Sequence, residues 1–417
     1  MKRLRLNVAV SVGAAVVGLL SSLGAASNPT PTPAPPAAGS KIAADDAPRP
    51  YDDFKFIDKD ECQKQTAGAN VESGELRGYA VNHFQWCAWR FVLLPLKDDS
   101  GRIINIMSYR LTVMAQGRED DRYVTTTHYV DKIHYRYFTG FGPGNTTLKV
   151  TPTCTLNNLQ GACVYSPDPA GPASLKDIED NPLEITMRSD QAVDPATNPL
   201  AIMQGMMTFT QSYATSAGGG TLTMGVLRAG QIVRCDSAQL EQTAYLTPAC
   251  IFINANPVLN FNINDANINE SALHIRDAQN YPQEMFPKPP DNVSKTMPSP
   301  LTRHWDQVLN DQQRNRSIAT CLAAFGPNPG GVDCDEYPFA STLEGSLGTP
   351  GPGQEQNYNF SVRYIDYRDN RRAGRWLQLW YYKDRILSGD KFTVNIFDGP
   401  VVTAEDPVPP SGSAGDK

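Results

Sequence analysis

Asp333-Cys334-Asp335-Glu336-Tyr337-Pro338-Phe339-Ala340-Ser341-Thr342-Leu343-Glu344-Gly345 sets Asp335, Glu336 and Glu344 beside a cysteine, a proline and a glycine. The run is too short and too broken for a regular helix, so its carboxylates are expected on a strand or loop. They form the densest group of candidate metal ligands or proton acceptors in the chain. The sequence downstream, to about Phe397, reads as the other half of a site. The sequence upstream reads as delivery and scaffold.

Working outward, Ser361-Val362-Arg363-Tyr364-Ile365 has the character of a short strand. From Asn370 the apolar residues Ala373, Trp376, Leu377, Trp380 and Tyr381 fall on one helical face. Asp369 or Asn370 is placed to cap that helix. Arg371, Arg375 and Gln378 lie on another side of it. Ser388-Gly389-Asp390 makes a turn into a closing strand over 391–397. On the upstream side a helix is expected from 302 to about 325, with Trp305, Val308 and Leu309 on one face. Its Cys321 would bridge to Cys334. Residues between Gly345 and Ser361 form a lid or an inert loop. Hydrolysis of a phosphodiester needs a divalent cation on oxygen ligands, a base for water and positive charge over the phosphate. Carboxylates at 335, 336 and 344, an amide at 370 and guanidiniums at 371 and 375 supply those types. Residue types alone do not separate this from an amphipathic surface helix beside an ordinary acidic turn.

From about Tyr51 to Asn260 the chain reads as strands. Met107, Tyr109, Leu111, Val113 and Ala115 alternate with Ser108, Arg110, Thr112 and Met114. Further strands are expected over 78–96, 122–138, 183–187, 202–211 and 221–234. Turns separate them at residues 140–144, 167–172 and 218–220. The pattern predicts an antiparallel β-sandwich-like domain. His128 and His134 fit polar surface positions better than a metal site. The glycines at 140, 142 and 144 make a turn and not a phosphate loop, because no amphipathic helix follows them.

The 417 residues suffice for two domains, and the net charge of −7 argues against a protein that coats nucleic acid by bulk charge. An enzyme meeting a polyanion in a local groove is compatible with it. A basic start, an apolar run from Val8 to Leu20 and small residues to Ser27 read as a signal peptide over 1–27. The run is shorter than the roughly 20 residues a membrane span needs. Residues 28–50 form a Pro-rich linker, and 400–417 a similar tail; both are expected to be disordered. The eight cysteines fall in near pairs, Cys62/Cys87, Cys154/Cys163, Cys235/Cys250 and Cys321/Cys334. In an exported chain an even count points to disulfides. Nearest-neighbour pairing is one of roughly a hundred connectivities.

The segment 334–340 with Glu344-Gly345, preceded by His274-Ile275-Arg276-Asp277-Ala278, resembles the NucA/NucB family of secreted bacterial deoxyribonucleases. So do Val362-Arg363-Tyr364 and Asp369-Asn370-Arg371 with Ala373-Gly374 and Trp376, which follow in the same order. The likeness covers about 262–398. It implies a C-terminal α+β nuclease domain of ββα-metal type over 261–399, following a β-rich domain over 51–260. It also implies a non-specific endonuclease of extracellular DNA using Mg²⁺ or Mn²⁺. By the same resemblance Asp335 takes base or metal work, Glu336 and Glu344 bind the metal or support its ligands, and Asn370 lies on the metal side. Arg371 and Arg375 are phosphate contacts. His274 is a substrate contact or a packing histidine, and Asp277 is structural. Relatives are often Gly-rich where this chain has Arg371-Arg372-Ala373. A glycan, a cell-wall polymer or an inhibitor is the expected partner of the β-rich domain, with no stable membrane association. The competing reading is an extracellular β-rich binding protein carrying an inactive nuclease-like domain. A Ser or Cys hydrolase is not supported, since no Gly-x-Ser-x-Gly occurs.

Overall fold

The computed structural model describes residues 56–65, 75–76, 78–97, 100–117, 122–136, 142–157, 163–166, 172–189, 205–217, 227–236 and 249–400. The expected signal, the linker, the tail beyond Pro400, the turn at 218–220 and the Cys154/Cys163 pair lie outside the described residues or side chains. Of the Gly-rich turn, residues 142–145 are described and close with Asn145 N–H donating to Gly142 O at 3.0 Å.

The N-terminal part begins with α1 (Lys59–Gln65), β1 (Glu75–Leu76), β2 (Tyr79–Asn82), β3 (Gln85–Lys97), β4 (Ile103–Gly117) and β5 (Tyr123–Tyr135). It continues with β6 (Thr146–Asn157), β7 (Cys163–Ser166), β8 (Ala173–Ser174), α2 (Leu175–Asp180), β9 (Leu183–Ser189), β10 (Gly205–Ala217), β11 (Leu227–Asp236) and β12 (Ala249–Phe252). One sheet runs β2-β3-β4-β5-β9-β7 with every pair antiparallel. The other runs β1-β11-β10-β6-β8 with β12 on β11, antiparallel except for β1. Met107, Tyr109, Leu111, Val113 and Ala115 are all buried, as their alternation predicts. They share a core with Leu148, Val150, Val233 and Phe252 of the second sheet. Burial of each large apolar side chain there contributes roughly 1.5–3 kcal/mol.

One of the two strand histidines departs from the expected surface position. His128 is buried, its Nδ1 3.0 Å from Leu183 O, whereas His134 is exposed. The β4–β5 register shifts between them, where Lys132 takes a φ of 52°, so the even spacing no longer keeps both rings on one face.

The C-terminal part is α+β: β13 (Val258–Asn262), α3 (Asn269–Asn280), β14 (Leu301–Thr302), α4 (Gln307–Phe325), β15 (Val332–Tyr337), β16 (Ser361–Asp366), α5 (Tyr367–Lys383) and β17 (Lys391–Phe397). β17 lies between β13 and β14, and among the described residues β15 pairs with β16 alone. Leu259, Phe261, Ile275, Tyr337, Leu377, Trp380 and Phe392 form a second core. Disulfides join Cys62–Cys87, Cys235–Cys250 and Cys321–Cys334, as nearest-neighbour pairing expects. Among the described residues no helix is long and apolar enough to cross a membrane.

Both site helices start elsewhere than predicted. α4 begins at Gln307 because the Asp306 carboxylate accepts the Val308 and Leu309 N–H groups, and Thr302 belongs to β14. Its buried residues are Asn310, Gln313, Ser317 and Cys321, while Val308 is exposed, so the helix turns a polar stripe inward and not the expected apolar face. α5 begins at Tyr367, capped by Asp366 onto Arg368 N–H. Asp369, read as its cap, instead caps α3. The carboxylate accepts Glu270 N–H (2.8 Å), Ser271 N–H (3.0 Å) and Ser271 Oγ–H (2.7 Å). In return Glu270 Oε2 accepts Asp366 N–H at 2.7 Å. Two helix N-termini, each with unpaired N–H groups, thus satisfy one another. Asp369→Ala is expected to cost about 1–3 kcal/mol of stability, read as a lower midpoint in urea melts.

The β-rich and α+β parts meet through buried polar groups. His83 Nδ1–H donates to Asp384 O at 2.5 Å, and Arg234 pairs with Asp390. Burial holds His83 down to about 4; Arg234 adds to that, and the bond to Asp384 O opposes it. The unfolded chain therefore binds the extra proton between about pH 6.5 and 4, and the folded one does not. Stability should fall as pH drops through that window, by up to roughly 3 kcal/mol. His83→Gln should remove that part of the slope in pH-dependent melts.

Candidate active site

β15 pairs with β16 in a register that sets Asp335 opposite Arg363 and Glu336 opposite Val362. Neighbouring side chains on a strand point to opposite faces. Asp333 and Asp335 turn toward α5 and α3, where Arg371 and His274 meet them. Cys334 and Glu336 turn toward α4, which supplies Cys321 and Arg314. The other edge of β15 is unpaired among the described residues, and it opens into a pocket of about 530 Å³. Asn310, Arg314 and Ile318 of α4 form one wall; Asn370, Arg371 and Gly374 of α5 form the other. Arg303, His304 and Trp305 close the end beside the turn that follows β15.

Asp335 is 9% exposed and is fixed from behind. Its Oδ2 lies 2.7 Å from Nδ1 of His274, a fully buried ring. A carboxylate accepts, so Nδ1 carries the hydrogen, and Ser361 Oγ, 2.8 Å from Nε2, completes the ring's pairing. His274 does not line the pocket; it acts there only through Asp335. Of the two roles the sequence left open, the structure places it behind the site and not on its surface. Asp277 ion-pairs with Arg276 and Arg363, both at 2.9 Å, which is the structural position expected of it.

Glu336 is half-buried on the α4 side. Burial pushes its carboxyl up to about 7, and Asp335 adds to the rise; Arg314 and the Ala340 N–H offset only part of it. Asn370 is half-buried and lines the pocket, and its side-chain amide makes no hydrogen bond among the described residues. Arg371 sits at the rim, 63% exposed, with Nε 3.1 Å from Asp333 Oδ2 and its guanidinium 5.0 Å over the Tyr367 ring. An ion pair so exposed is worth little, and an incoming anion can replace it.

Asp335, Glu336, Asn370 and Arg371 therefore share one pocket, whereas Glu344 and Arg375 do not line it. Glu344 Oε2 accepts Thr302 N–H at 2.7 Å and braces the turn behind the pocket wall. A Cβ at the adjoining Gly345 would meet Gln313 Oε1 at 2.0 Å and would have to displace that amide. The loop from 346 to 360 gives the pocket no residue. Asn357 donates to Gly345 O and Ser346 O, and Gln354 to Asn359 and Ser294 O, which pin it in place. It is not placed as a lid.

Sequence reasoning passed over Arg314, Asn310 and His304. The signal was the polar stripe Asn310, Gln313, Ser317 at helical spacing, which puts Arg314 beside it on the pocket wall. Among the described residues no three His, Cys, Asp or Glu side chains gather as a ligand cluster. Two carboxylates and an amide form a sparse, hard-oxygen set, of the kind that suits a small divalent cation keeping several waters.

The raised Glu336 carboxyl carries a stability signature. Between about pH 4.5 and 7 the folded protein binds a proton that the unfolded chain does not, so metal-free stability falls as pH rises through that range. In EDTA, Glu336→Gln should melt a few degrees above the wild type at pH 8 and together with it at pH 4.

No curated protein and no solved structure matches the chain. The α3 helix with His274 and the whole β-rich part lie outside the residues that match a protein family. It is residues 292–395, holding α4, β15, β16 and α5 with Asp335, Glu336, Asn370 and Arg371, that match the family described as deoxyribonuclease NucA/NucB.

Proposed function

We propose that this protein is a secreted, metal-dependent endonuclease that hydrolyses phosphodiester bonds of extracellular DNA. What supports this reading is one pocket lined by Asp335, Glu336 and Asn370, with Arg314 and Arg371 on its walls, within the segment that matches the deoxyribonuclease family. In this reading residues 261–399 form the nuclease domain, with β15, β16 and α5 as its strand–strand–helix core of ββα-metal type. Residues 51–260 form an accessory module, and 1–27 direct export. Three disulfides support an oxidising destination.

Asp335, Glu336 and Asn370 would hold Mg²⁺ or Mn²⁺, which when bound supplies Lewis-acid polarisation of the phosphate and lowers the pKa of a bound water. Asp335 is oriented by His274 through one carboxylate oxygen, which leaves the other for the metal or for a proton from the attacking water. Glu336, crowded by Asp335 and short of solvent, is stabilised as a carboxylate by a neighbouring cation. Arg314 and Arg371 spread positive charge over the phosphate from opposite walls. The half-buried floor limits competing water. Glu344 supports the turn.

Purified protein with Mg²⁺ or Mn²⁺ should nick plasmid DNA and lose that activity in EDTA. Asp335→Ala should lower kcat by about 10²–10⁴-fold with the circular dichroism spectrum unchanged. Equal cleavage by the variant removes Asp335 from the mechanism. Metal-replete protein that cuts neither DNA nor RNA yet binds a glycan or cell-wall polymer would favour a β-rich binding protein with an inactive nuclease-like domain.

A further inference from the structure

A buried arginine of the β-rich part holds the loop that grips the pocket residue Arg303. Arg234 on β11 is 2% exposed, and its Nη1 donates to both carboxylate oxygens of Asp390, at 2.6 and 2.7 Å. Its Nη2 donates to Arg385 O at 2.8 Å. Asp390 ends the loop between α5 and β17, and its carboxylate also accepts Leu387 N–H at 2.7 Å. That loop grips Arg303 by its backbone on both sides. Arg303 N–H donates to Asp390 O at 2.9 Å, and Gly389 N–H donates to Arg303 O at 2.8 Å.

Arg303 carries the constraint into the pocket. Its guanidinium donates to Ile386 O and lies 4.5 Å over the Tyr381 ring, and Tyr381 Oη is 3.0 Å from Ser341 Oγ. The next residue, His304, donates its N–H to Ser341 O and its Nε2–H to Ala340 O, each at 2.9 Å. The Ala340 N–H of that turn favours the Glu336 carboxylate electrostatically. From Arg234 to Ala340 the links are directed hydrogen bonds, a ring contact and the peptide bond between Arg303 and His304.

We propose that Arg234 is a positioning residue for the candidate active site. Through Asp390 and Arg303 it sets the segment 303–305 against the turn at 339–342, and so fixes the carboxylate floor from the β-rich side. The accessory module is then a brace built into the nuclease pocket. A contact serving adhesion alone would be satisfied by apolar burial. A forked guanidinium on a carboxylate and a carbonyl instead fixes an angle and a register. The kinetic half of this inference rests on the nuclease reading; the structural half does not.

The test uses the full chain carrying Arg234→Met, which keeps the bulk and removes the fork. Amide hydrogen exchange should quicken at least about tenfold at Arg303, His304 and Leu343, while amides of β3 and β4 keep their wild-type protection. On plasmid DNA kcat should fall at least about tenfold with KM changed less than about twofold. Arg234→Lys, which keeps charge without the fork, should show the same pattern in smaller measure and covers the case in which Arg234→Met does not fold. Unchanged exchange at 303 and 304 overturns the inference whatever the activity. Faster exchange with unchanged kcat overturns the positioning role. A wild type that cuts no DNA sinks the nuclease reading alone, because the exchange readout does not depend on it.

Discussion

A buried imidazole holds a carboxylate at the lip of an open strand edge, and the site is arranged around that fixed point. His274 can do this only because α3 is itself held in place. Its bare N-terminus is capped by Asp369 of α5, while Glu270 caps the entry to α5. α3, α5, β15 and β16 are thereby locked to one another by polar contacts of short range and strict geometry. Loss of any one member would leave buried N–H groups or a buried carboxylate without a partner, a cost larger than that of an exposed ion pair.

The opposite side of β15 is built differently. The Cys321–Cys334 disulfide ties α4 directly behind the acidic residues, and Asn310, Gln313 and Ser317 face inward where a helix normally buries leucines. Gln313 alone donates to Ala340 O and Thr342 O and accepts Leu347 N–H. Gln313 thus replaces apolar burial with directed bonds, whereas Asn310 Oδ1 and Ser317 Oγ are buried with no hydrogen-bond partner among the described residues. Such a wall leaves Glu336 in surroundings that disfavour its charge. Stability given up where function needs a carboxylate is a familiar exchange at active sites.

The buried face of β4 was legible because Met107, Tyr109, Leu111, Val113 and Ala115 are apolar and the period is two. The apolar face of α5 was legible for the same reason, with Ala373, Leu377, Trp380 and Tyr381 all buried. α4 was misread because hydrophobic periodicity cannot mark a helix that buries polar groups. Its exposed Val308, Ile318, Leu322 and Phe325 point the wrong way for that rule. Asp369 or Asn370 reads as the cap of α5, yet Asp366 holds that place and Asp369 caps α3, whose Glu270 lies 99 residues away. Glu344 carries the right atoms for a ligand. Only the backbone N–H of Thr302, 42 residues upstream, shows what it holds. Arg234 and Asp390, 156 residues apart, leave no local trace.

The account stands or falls on two carboxylates and one amide, splayed from a strand edge and a helix, gathering a single cation. Diffraction from crystals soaked in Mn²⁺, with anomalous difference maps at the metal's absorption edge, reads this directly. The prediction is one strong peak bounded by Asp335, Glu336 and Asn370, absent from crystals of Glu336→Gln. A peak at Glu344 with none in the pocket, or no peak in protein that still cuts DNA with Mn²⁺, would contradict it.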